Sequence, residues 1–149
     1  MCHQCDPFAF FIFRLCPGAW YNAVRNDQYR TGKEKAMPYI HTQTTVPLSP
    51  QVREELTGDL GQAVRALGKS EDWLMLRFEE NCVMAFRGKT DAPCCFVGVS
   101  MYGCPAREQL DAMTEKVTAC VARRTGVPPE NIYIRYLPTD AWGWNGGNF

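Results

Sequence analysis

The residue of this 149-residue chain that is best suited to chemistry is Pro38. It follows an internal methionine in the segment Met37-Pro38-Tyr39-Ile40. If the peptide bond before Pro38 is cleaved, the proline carries a secondary amine, and a terminal amine titrates closer to neutral pH than a lysine does. Such an amine is a candidate general base. While residues 1–37 remain attached, the same nitrogen is an amide and cannot accept a proton. The alternative is a proline that is simply tolerated at the first position of a strand.

A second group of reactive side chains lies at the start of the chain. Cys2 and Cys5 form a Cys-x-x-Cys pair, with His3 and Cys16 nearby. A structural zinc site normally needs four ligands in two spaced pairs, and only one pair is present. We therefore predict no metal ion and no cofactor. The segment is then a cysteine-bearing tail, or sequence that the mature protein lacks.

Composition excludes several classes of protein. The formal net charge is zero and the chain has no basic block, which argues against a nucleic-acid partner. No apolar run is long enough to span a bilayer, and the first residues lack the basic start of a secretory signal. The eight cysteines show no disulfide spacing, so we expect buried, reduced thiols of the cytosolic type.

The first half of the regular region predicts a strand, a helix and a second strand. Residues 38–45 are rich in β-formers. Ser49 followed by Pro50 is typical of a helix start, and Gly68 of a helix end. Residues 73–79 are predicted to be the second strand. Between the two helix signals, apolar residues recur at intervals of three and four, at Val52, Leu56, Leu60, Ala63, Val64 and Leu67.

The second half repeats this order. Residues 94–101 predict a buried strand, Pro105 opens a second helix, Gly126 ends it, and residues 132–137 predict the next strand. A turn and a further short strand, Val83–Phe86, are expected between the halves. The apolar face of the second helix is formed by Leu110, Met113, Val117, Cys120 and Val121.

Corresponding helix stops, helix positions and strand positions of the two halves are separated by the same number of residues. The halves are therefore two β-α-β units of equal length. Together they predict an α+β fold in which a four-stranded mixed sheet carries both helices on one face. Because residues 38–149 hold no further helices to cover the other face, the pattern favours self-association.

Six short motifs give the chain a resemblance to a known family. They occur in an order and spacing similar to those of the macrophage migration inhibitory factor family, in the tautomerase superfamily, and they extend over residues 38–149 with almost no gaps. The motifs are Met37-Pro38-Tyr39-Ile40, Leu67-Gly68-Lys69, Val83-Met84-Ala85-Phe86, Pro93-Cys94, Ile132-Tyr133-Ile134 and Gly143-Trp144-Asn145.

The resemblance implies a homotrimer whose three sheets surround a central channel. It also implies keto–enol tautomerisation of phenylpyruvate-like α-keto acids and of dopachrome, with an N-terminal proline as the base. Family members start at the methionine aligned with Met37, which is then removed. The chain is thus expected to comprise an extension, residues 1–37, that is disordered or missing from the mature protein, and a tautomerase domain, residues 38–149.

The resemblance also implies roles for particular residues. Pro38 is the catalytic base, and Lys69 holds the carboxylate or carbonyl oxygen of the substrate; its alternative role is a solvated lysine near a helix C-terminus. Tyr133 is the family tyrosine that reaches in from an adjacent subunit, and its alternative is an aromatic residue packed in the core. The remaining expected pocket positions, each of which could instead serve packing, are Trp73, Trp144 and Phe149.

The chain departs from the family pattern at three positions. Arg135 replaces an asparagine of the mammalian cytokine; strand alternation directs it to the same side as Tyr133, where it would clamp a substrate carboxylate and depress the pKa of Pro38. Tyr102 replaces a small aliphatic residue and is expected to narrow the substrate pocket. The Cys-x-x-Cys of the family is incomplete because Val97 takes the second place, so thiol oxidoreduction is not expected.

Three hypotheses about function follow. The first is a trimeric tautomerase acting on small α-keto acids or enols. The second is a cytokine-like interaction protein, with a cell-surface receptor as partner and little catalysis. In the third, residues 1–37 target or regulate the domain and keep it silent until they are cleaved. The resemblance implies a cytoplasmic protein that leaves the cell by a non-classical route.

Overall fold

The computed structural model describes residues 37–148. They all lie in one of the two units into which the chain divides, residues 34–149. Residues 1–36 of the predicted extension, which include the Cys2 and Cys5 pair, and the pocket residue Phe149 therefore lie outside the described residues. Neither helix of the described part combines the length and the apolar character that a bilayer crossing requires.

Four strands form the predicted mixed sheet, in the order β2-β1-β3-β4. The central strands β1 (Pro38–Thr44) and β3 (Cys95–Tyr102) are antiparallel. Each central strand has a parallel neighbour, β2 (Met75–Glu79) beside β1 and β4 (Ile132–Thr139) beside β3. Parallel strands need a crossover connection. Each outer pair is therefore one β-α-β unit, as the repeat predicted.

The two crossover helices begin and end close to the predicted signals. Helix α1 (Pro50–Ala63) starts after Ser49, whose Oγ accepts a hydrogen bond from the Val52 N–H at 3.2 Å. A 3-10 turn (Val64–Leu67) prolongs it to Gly68, at φ 69°. Helix α2 (Arg107–Thr125) ends at Gly126, at φ 73°. The left-handed conformation of both glycines is one that other residues adopt only at a cost, which explains both helix ends.

Alternation along the strands separates a helix-covered face from a helix-free face. In β1 and β3 every second residue is buried. The predicted apolar helix positions pack with these strand residues into one core. On the helix-free face the same strands carry Tyr39, His41, Gln43, Phe96, Gly98 and Ser100. The neighbouring strands add Met75, Arg77, Glu79, Tyr133, Arg135 and Leu137.

Two local predictions about secondary structure are wrong. Trp73 does not lie in β2 but ends a 3-10 turn (Glu71–Trp73), because the Ser70 hydroxyl caps that turn by accepting from the Asp72 N–H at 3.2 Å. The segment Val83–Phe86 is not a strand. It forms an isolated antiparallel bridge from Phe86 to Lys89, so its β-forming residues have no ladder partner in the described part of one chain.

Three of the five cysteines in the described part of the chain are buried, as expected. Cys94, Cys95 and Cys120 are free and buried, and burial raises the pKa of Cys95 to about 12 and that of Cys120 to about 11. Cys104 is exposed, so the expectation of burial is wrong at that position. It lies in the short connection between β3 and α2, where the chain passes over the surface.

Candidate functional site

Pro38 begins strand β1 at one end of the sheet. Its register partner is Met101 near the end of β3, and Met101 in turn pairs with Pro138 near the end of β4. Pro38 is buried, and the side chain of Met37 is 6% exposed. We call this end of the sheet, where β1 begins and β3 and β4 finish, the Pro38 end. Any chemistry at Pro38 takes place there.

Lys69 lies at the Pro38 end because of the local backbone. The left-handed turn at Gly68 ends the helical segment and leads directly to Lys69. The Lys69 Nζ then donates a hydrogen bond to the backbone oxygen of Tyr102 at 3.0 Å. Tyr102 is the last residue of β3, next to the partner of Pro38. The structure therefore brings a cation and Tyr102 to the end of the sheet where Pro38 begins.

Two tryptophans pack against each other at the same end. The rings of Trp73 and Trp144 meet edge to face, with centroids 5.1 Å apart and an interplanar angle of 86°. Trp73 lies just before β2, whose first residue pairs with Tyr39. Trp144 lies in a small hairpin of β5 (Gly143–Trp144) and β6 (Gly147–Asn148). Trp73 is 36% exposed and Trp144 is 41% exposed, so the pair lies at the surface of the described part of the chain.

Tyr133 lies at the opposite end of the sheet. It pairs with Phe96, which pairs with Gln43, five residues along β1 from Pro38. At a strand rise of about 3.3 Å per residue, this offsets Tyr133 from Pro38 by about 16 Å along the strand direction, in addition to the distance across two strand spacings. Tyr133 is 59% exposed, so the core-packing alternative is wrong. One chain does not bring Tyr133 to Pro38.

The environment of Tyr133 contains a contact that sequence reasoning missed. Its ring meets that of Phe86 edge to face, at a centroid distance of 5.2 Å. The segment that holds Phe86 was predicted to be a strand. That prediction does not indicate which distant side chain Phe86 contacts. The Tyr102 backbone oxygen that binds Lys69 was missed for a similar reason, since residue type does not reveal backbone acceptors.

Arg135 faces the same way as Tyr133, as strand alternation predicted, and lies between the two ends of the sheet. Its guanidinium carbon is 5.3 Å from the centroid of the Phe96 ring. Its register partner is Gly98, which pairs with His41. A Cβ on Gly98 would meet no atom within 4 Å. The face is therefore open beside Arg135, but this arginine does not reach Pro38 in the same chain.

A carboxylate network joins β1 and β2 on the helix-free face. Glu79 accepts hydrogen bonds from Gln43 at 2.9 Å, His41 at 2.8 Å and Arg77 at 2.8 Å. These donors, Gln43 above all, lower the pKa of Glu79 below its ordinary value. The charge of Glu79 is therefore committed to its neighbours, and it is a poor candidate for a proton acceptor.

The chain is similar to known proteins over the whole described region. A model of the family described as macrophage migration inhibitory factor (MIF) matches residues 37–149. The MIF of Meriones unguiculatus is 30% identical over 116 residues, which cover 76% of this chain and 99% of that protein. A MIF homolog of Brugia malayi is 25% identical over 115 residues, with the same coverage of 76% and 99%.

Solved structures are similar to this chain as well. A MIF protein of Leishmania major superimposes with a TM-score of 0.72 at 37% sequence identity, covering 76% of this chain and 97% of that one. The MIF homologue of Prochlorococcus marinus gives a TM-score of 0.67 at 29% identity, with coverage of 74% and 98%. The two helices and the four-stranded mixed sheet are thus the fold of these proteins.

Proposed function

The chain belongs to the macrophage migration inhibitory factor family, and on that premise we propose that a form beginning at Pro38 is a keto–enol tautomerase. The observation that carries the proposal is the gathering of Lys69, Tyr102 and the Trp73–Trp144 pair at the Pro38 end of the sheet. A base, a cation and an aromatic wall are the groups that an aryl α-keto acid such as phenylpyruvate, or dopachrome, requires.

The proposed mechanism is a proton transfer between carbon and oxygen. The Pro38 amine removes a proton from the carbon beside the keto group, and the resulting ammonium returns a proton at the other position. The ammonium of Lys69 binds the substrate carboxylate or the developing enolate oxygen. Its charge and the apolar surroundings both disfavour a protonated Pro38, which holds the amine ready as a base near neutral pH. No cofactor or metal enters this scheme.

The aromatic residues of the proposed site give it shape. The Trp73–Trp144 pair forms the aromatic wall against which the aryl ring of the substrate packs. The side chain of Tyr102 narrows the pocket from the β3 side, and Phe149, beyond the described residues, is proposed to close it. Tyr133 and Arg135 complete the site only if a second copy supplies them, because they lie away from Pro38 in one chain.

We propose the homotrimer on the same ground. The helix-free face carries exposed apolar side chains, Met75, Tyr133 and Leu137, among its charges. A trimer that surrounds a central channel with its three sheets would cover part of this face and would deliver Tyr133 to a neighbouring Pro38. The proposed domain boundary follows, with residues 1–37 removed and residues 38–149 forming the subunit.

The first test compares two prolines that share one register partner. We expect Pro38→Gly, in protein that begins at residue 38, to lower phenylpyruvate tautomerase kcat by about 10²-fold to 10⁴-fold, the usual contribution of a general base. Pro138→Gly, on the other side of Met101, is the matched control and should keep its activity. Protein that retains residues 1–37 should be inactive. Equal turnover by the two variants would refute the assignment of the base.

The second test concerns Lys69. In Lys69→Ala the KM for phenylpyruvate should rise by about tenfold, because one charge-assisted contact to the carboxylate is lost. Lys116→Ala, which removes an exposed lysine of α2, is the control that tests whether the loss of any positive charge raises the KM. A KM that is the same in both variants would remove Lys69 from the site.

One observation favours a second candidate function. In the chain as it stands, the Pro38 nitrogen is part of a peptide bond, and the methionine before it is buried. If cells keep that bond, the domain has no base and serves as an interaction protein, with a cell-surface receptor as the proposed partner, or waits for cleavage. N-terminal sequencing of protein purified from cytoplasm and from culture medium separates these cases and also tests the predicted route out of the cell.

A further inference from the structure

The arginines of the described region fall into two groups. Six of the eight form ion pairs with carboxylates within 3.3 Å, and these are Arg53, Arg65, Arg77, Arg107, Arg123 and Arg124. The other two are Arg87 and Arg135. Within residues 37–148, neither of them has a carboxylate partner.

The two exceptions share another property, since each stacks on a phenylalanine. The guanidinium of Arg87 is 5.1 Å from the centroid of the Phe86 ring, and that of Arg135 is 5.3 Å from the centroid of Phe96. Stacking occupies the flat face of a guanidinium and leaves its N–H edge in the plane. That edge is the part that binds carboxylate or phosphate with two parallel hydrogen bonds.

Both stacks converge on Tyr133. Phe86 contacts the Tyr133 ring directly, at 5.2 Å between centroids. Phe96 is the register partner of Tyr133 on the neighbouring strand, and side chains at such positions are adjacent. Tyr133 therefore has a phenylalanine on two sides, and each phenylalanine carries an arginine without an acidic partner in the described region.

The backbone at Arg87 shows that this position is conformationally costly. Residues Phe86 and Lys89 exchange two backbone hydrogen bonds, of 2.8 and 3.0 Å, around a tight turn. Arg87 and Gly88 both have positive φ, 53° and 75°. Such turns favour asparagine or glycine at the first of these positions, and a long side chain is disfavoured there. Arg87 therefore occupies a conformation that costs free energy at a residue other than glycine.

We propose that Arg87 and Arg135 form a second anion-binding subsite beside Tyr133, which selects substrates carrying a second anionic group besides the α-keto acid carboxylate. This inference rests on the proposed function, in which Tyr133 of one copy joins the Pro38 end of another. Lys69 binds the α-keto carboxylate there. The two guanidinium groups arrive with Tyr133 and bind an anionic group at the far end of the same substrate.

The test measures binding without turnover. The ligands are 3-phenylpropanoate and its ring-carboxylated 4-carboxy derivative, which share one frame and differ by one charge. The protein begins at residue 38 and carries Pro38→Gly, so that the result does not depend on catalysis. We expect the dicarboxylate to bind at least tenfold more tightly than the monocarboxylate. Arg87→Asn, which suits the turn, and Arg135→Gln should each reduce this ratio about tenfold.

Two control variants separate specific contact from general charge. Lys89→Gln removes a cation from the same turn, and Arg65→Gln removes an exposed arginine that pairs with Glu71. Both should leave the ratio of affinities unchanged. If the parent protein bound the dicarboxylate and the monocarboxylate with nearly equal affinity, the proposal would be overturned. It would also be overturned if Lys89→Gln reduced the ratio of the two affinities as much as Arg87→Asn and Arg135→Gln do. The same ratio of affinities can be compared with the activity of protein that begins at an intact Pro38. If the ratio is as expected but that protein has no tautomerase activity, the subsite stands and the proposed reaction is rejected.

Discussion

The same strands form both faces of the central sheet, but one face is apolar and buried and the other is polar and partly exposed. On the helix-covered face, Ile40, Val97, Val99 and Met101 are completely buried in one apolar core. On the helix-free face, one residue away along each strand, charged and polar side chains form hydrogen-bonded networks or stand exposed. Both faces are built from alternating positions, so the difference lies entirely in side-chain chemistry.

The helix-covered face accounts for most of the stability, and the helix-free face requires another explanation. Apolar burial contributes to the free energy of folding roughly in proportion to area, and the helix-covered face provides most of it. Exposed ion pairs contribute little, so the residues of the helix-free face are not explained by the stability of one chain. Their arrangement fits the contacts with a second copy and with a substrate that we propose.

The largest expected difference is between two neighbouring residues of β1. Ile40→Ala should lower the free energy of unfolding by about 2 to 5 kcal/mol, because it leaves a cavity in the core. His41→Ala, on the opposite face, should cost about 0.5 kcal/mol in the isolated chain. Urea unfolding with circular dichroism measures both. A cost for His41→Ala that grows with protein concentration would show that a second copy covers the helix-free face.

A smaller effect is expected where two arginines of α2 hold an acid of α1. Asp59 accepts hydrogen bonds from Arg124 Nε at 2.7 Å and from Arg123 NH2 at 2.9 Å. The hydrogen bond from Arg124, followed by that from Arg123, holds the pKa of Asp59 below its usual value. Asp59→Asn should therefore lower stability by about 1 to 2 kcal/mol at pH 7.

The pH dependence of this difference follows from the depressed pKa. The contribution of Asp59 is fully present above its unfolded-state pKa of about 4 and is lost as pH falls through the lower folded-state value. The stabilities of the parent and Asp59→Asn should therefore converge as the pH falls below about 4 in urea titrations. Glu79→Gln on the helix-free face should show a smaller difference at neutral pH, because Glu79 is more exposed. The reverse order would contradict the comparison of faces.

The smallest effect concerns two threonines of β1 that both lie on the helix-covered face. The Thr42 hydroxyl is buried without a hydrogen-bond partner, whereas that of Thr44 donates to the Cys94 backbone oxygen at 3.3 Å and accepts from the Val46 N–H at 3.3 Å. Thr42→Val should therefore raise stability by about 0.5 to 1 kcal/mol. Thr44→Val should lower it by about 1 kcal/mol. Thermal unfolding of the two variants, which make the same chemical change, should shift in opposite directions.

The sequence was sufficient for those parts of the fold that depend on periodicity and on glycine. The apolar positions from Val52 to Leu67, the helix ends at Gly68 and Gly126, and the repeated β-α-β order were all predicted correctly. These features are local, because each is set by the spacing of side chains or by the φ angle of one residue. The mixed sheet was predicted from the repeat, and the family was recognised from short motifs.

The remaining features depend on side-chain contacts that residue type and periodicity do not reveal. The turn at Trp73 is set by the cap of Ser70, which competes with the strand propensity of the residues that follow. The edge-to-face contact between Phe86 and Tyr133 joins segments that no local pattern connects. The separation of Tyr133 from Pro38 needed the strand register. The catalytic roles of Pro38 and Lys69 stay predictions until activity is measured.

The antiparallel pairing of β1 with β3 has a consequence for how the chain folds. Each β-α-β unit closes over a short stretch of sequence, but the central pairing joins Pro38 to Met101, from opposite halves of the domain. Non-local strand pairing requires loop-closure entropy to be lost before its contacts form, and it slows folding. Refolding is therefore expected to be limited by docking of the two halves. Variants at the β1–β3 seam should slow refolding, while variants confined to one half should mainly speed unfolding.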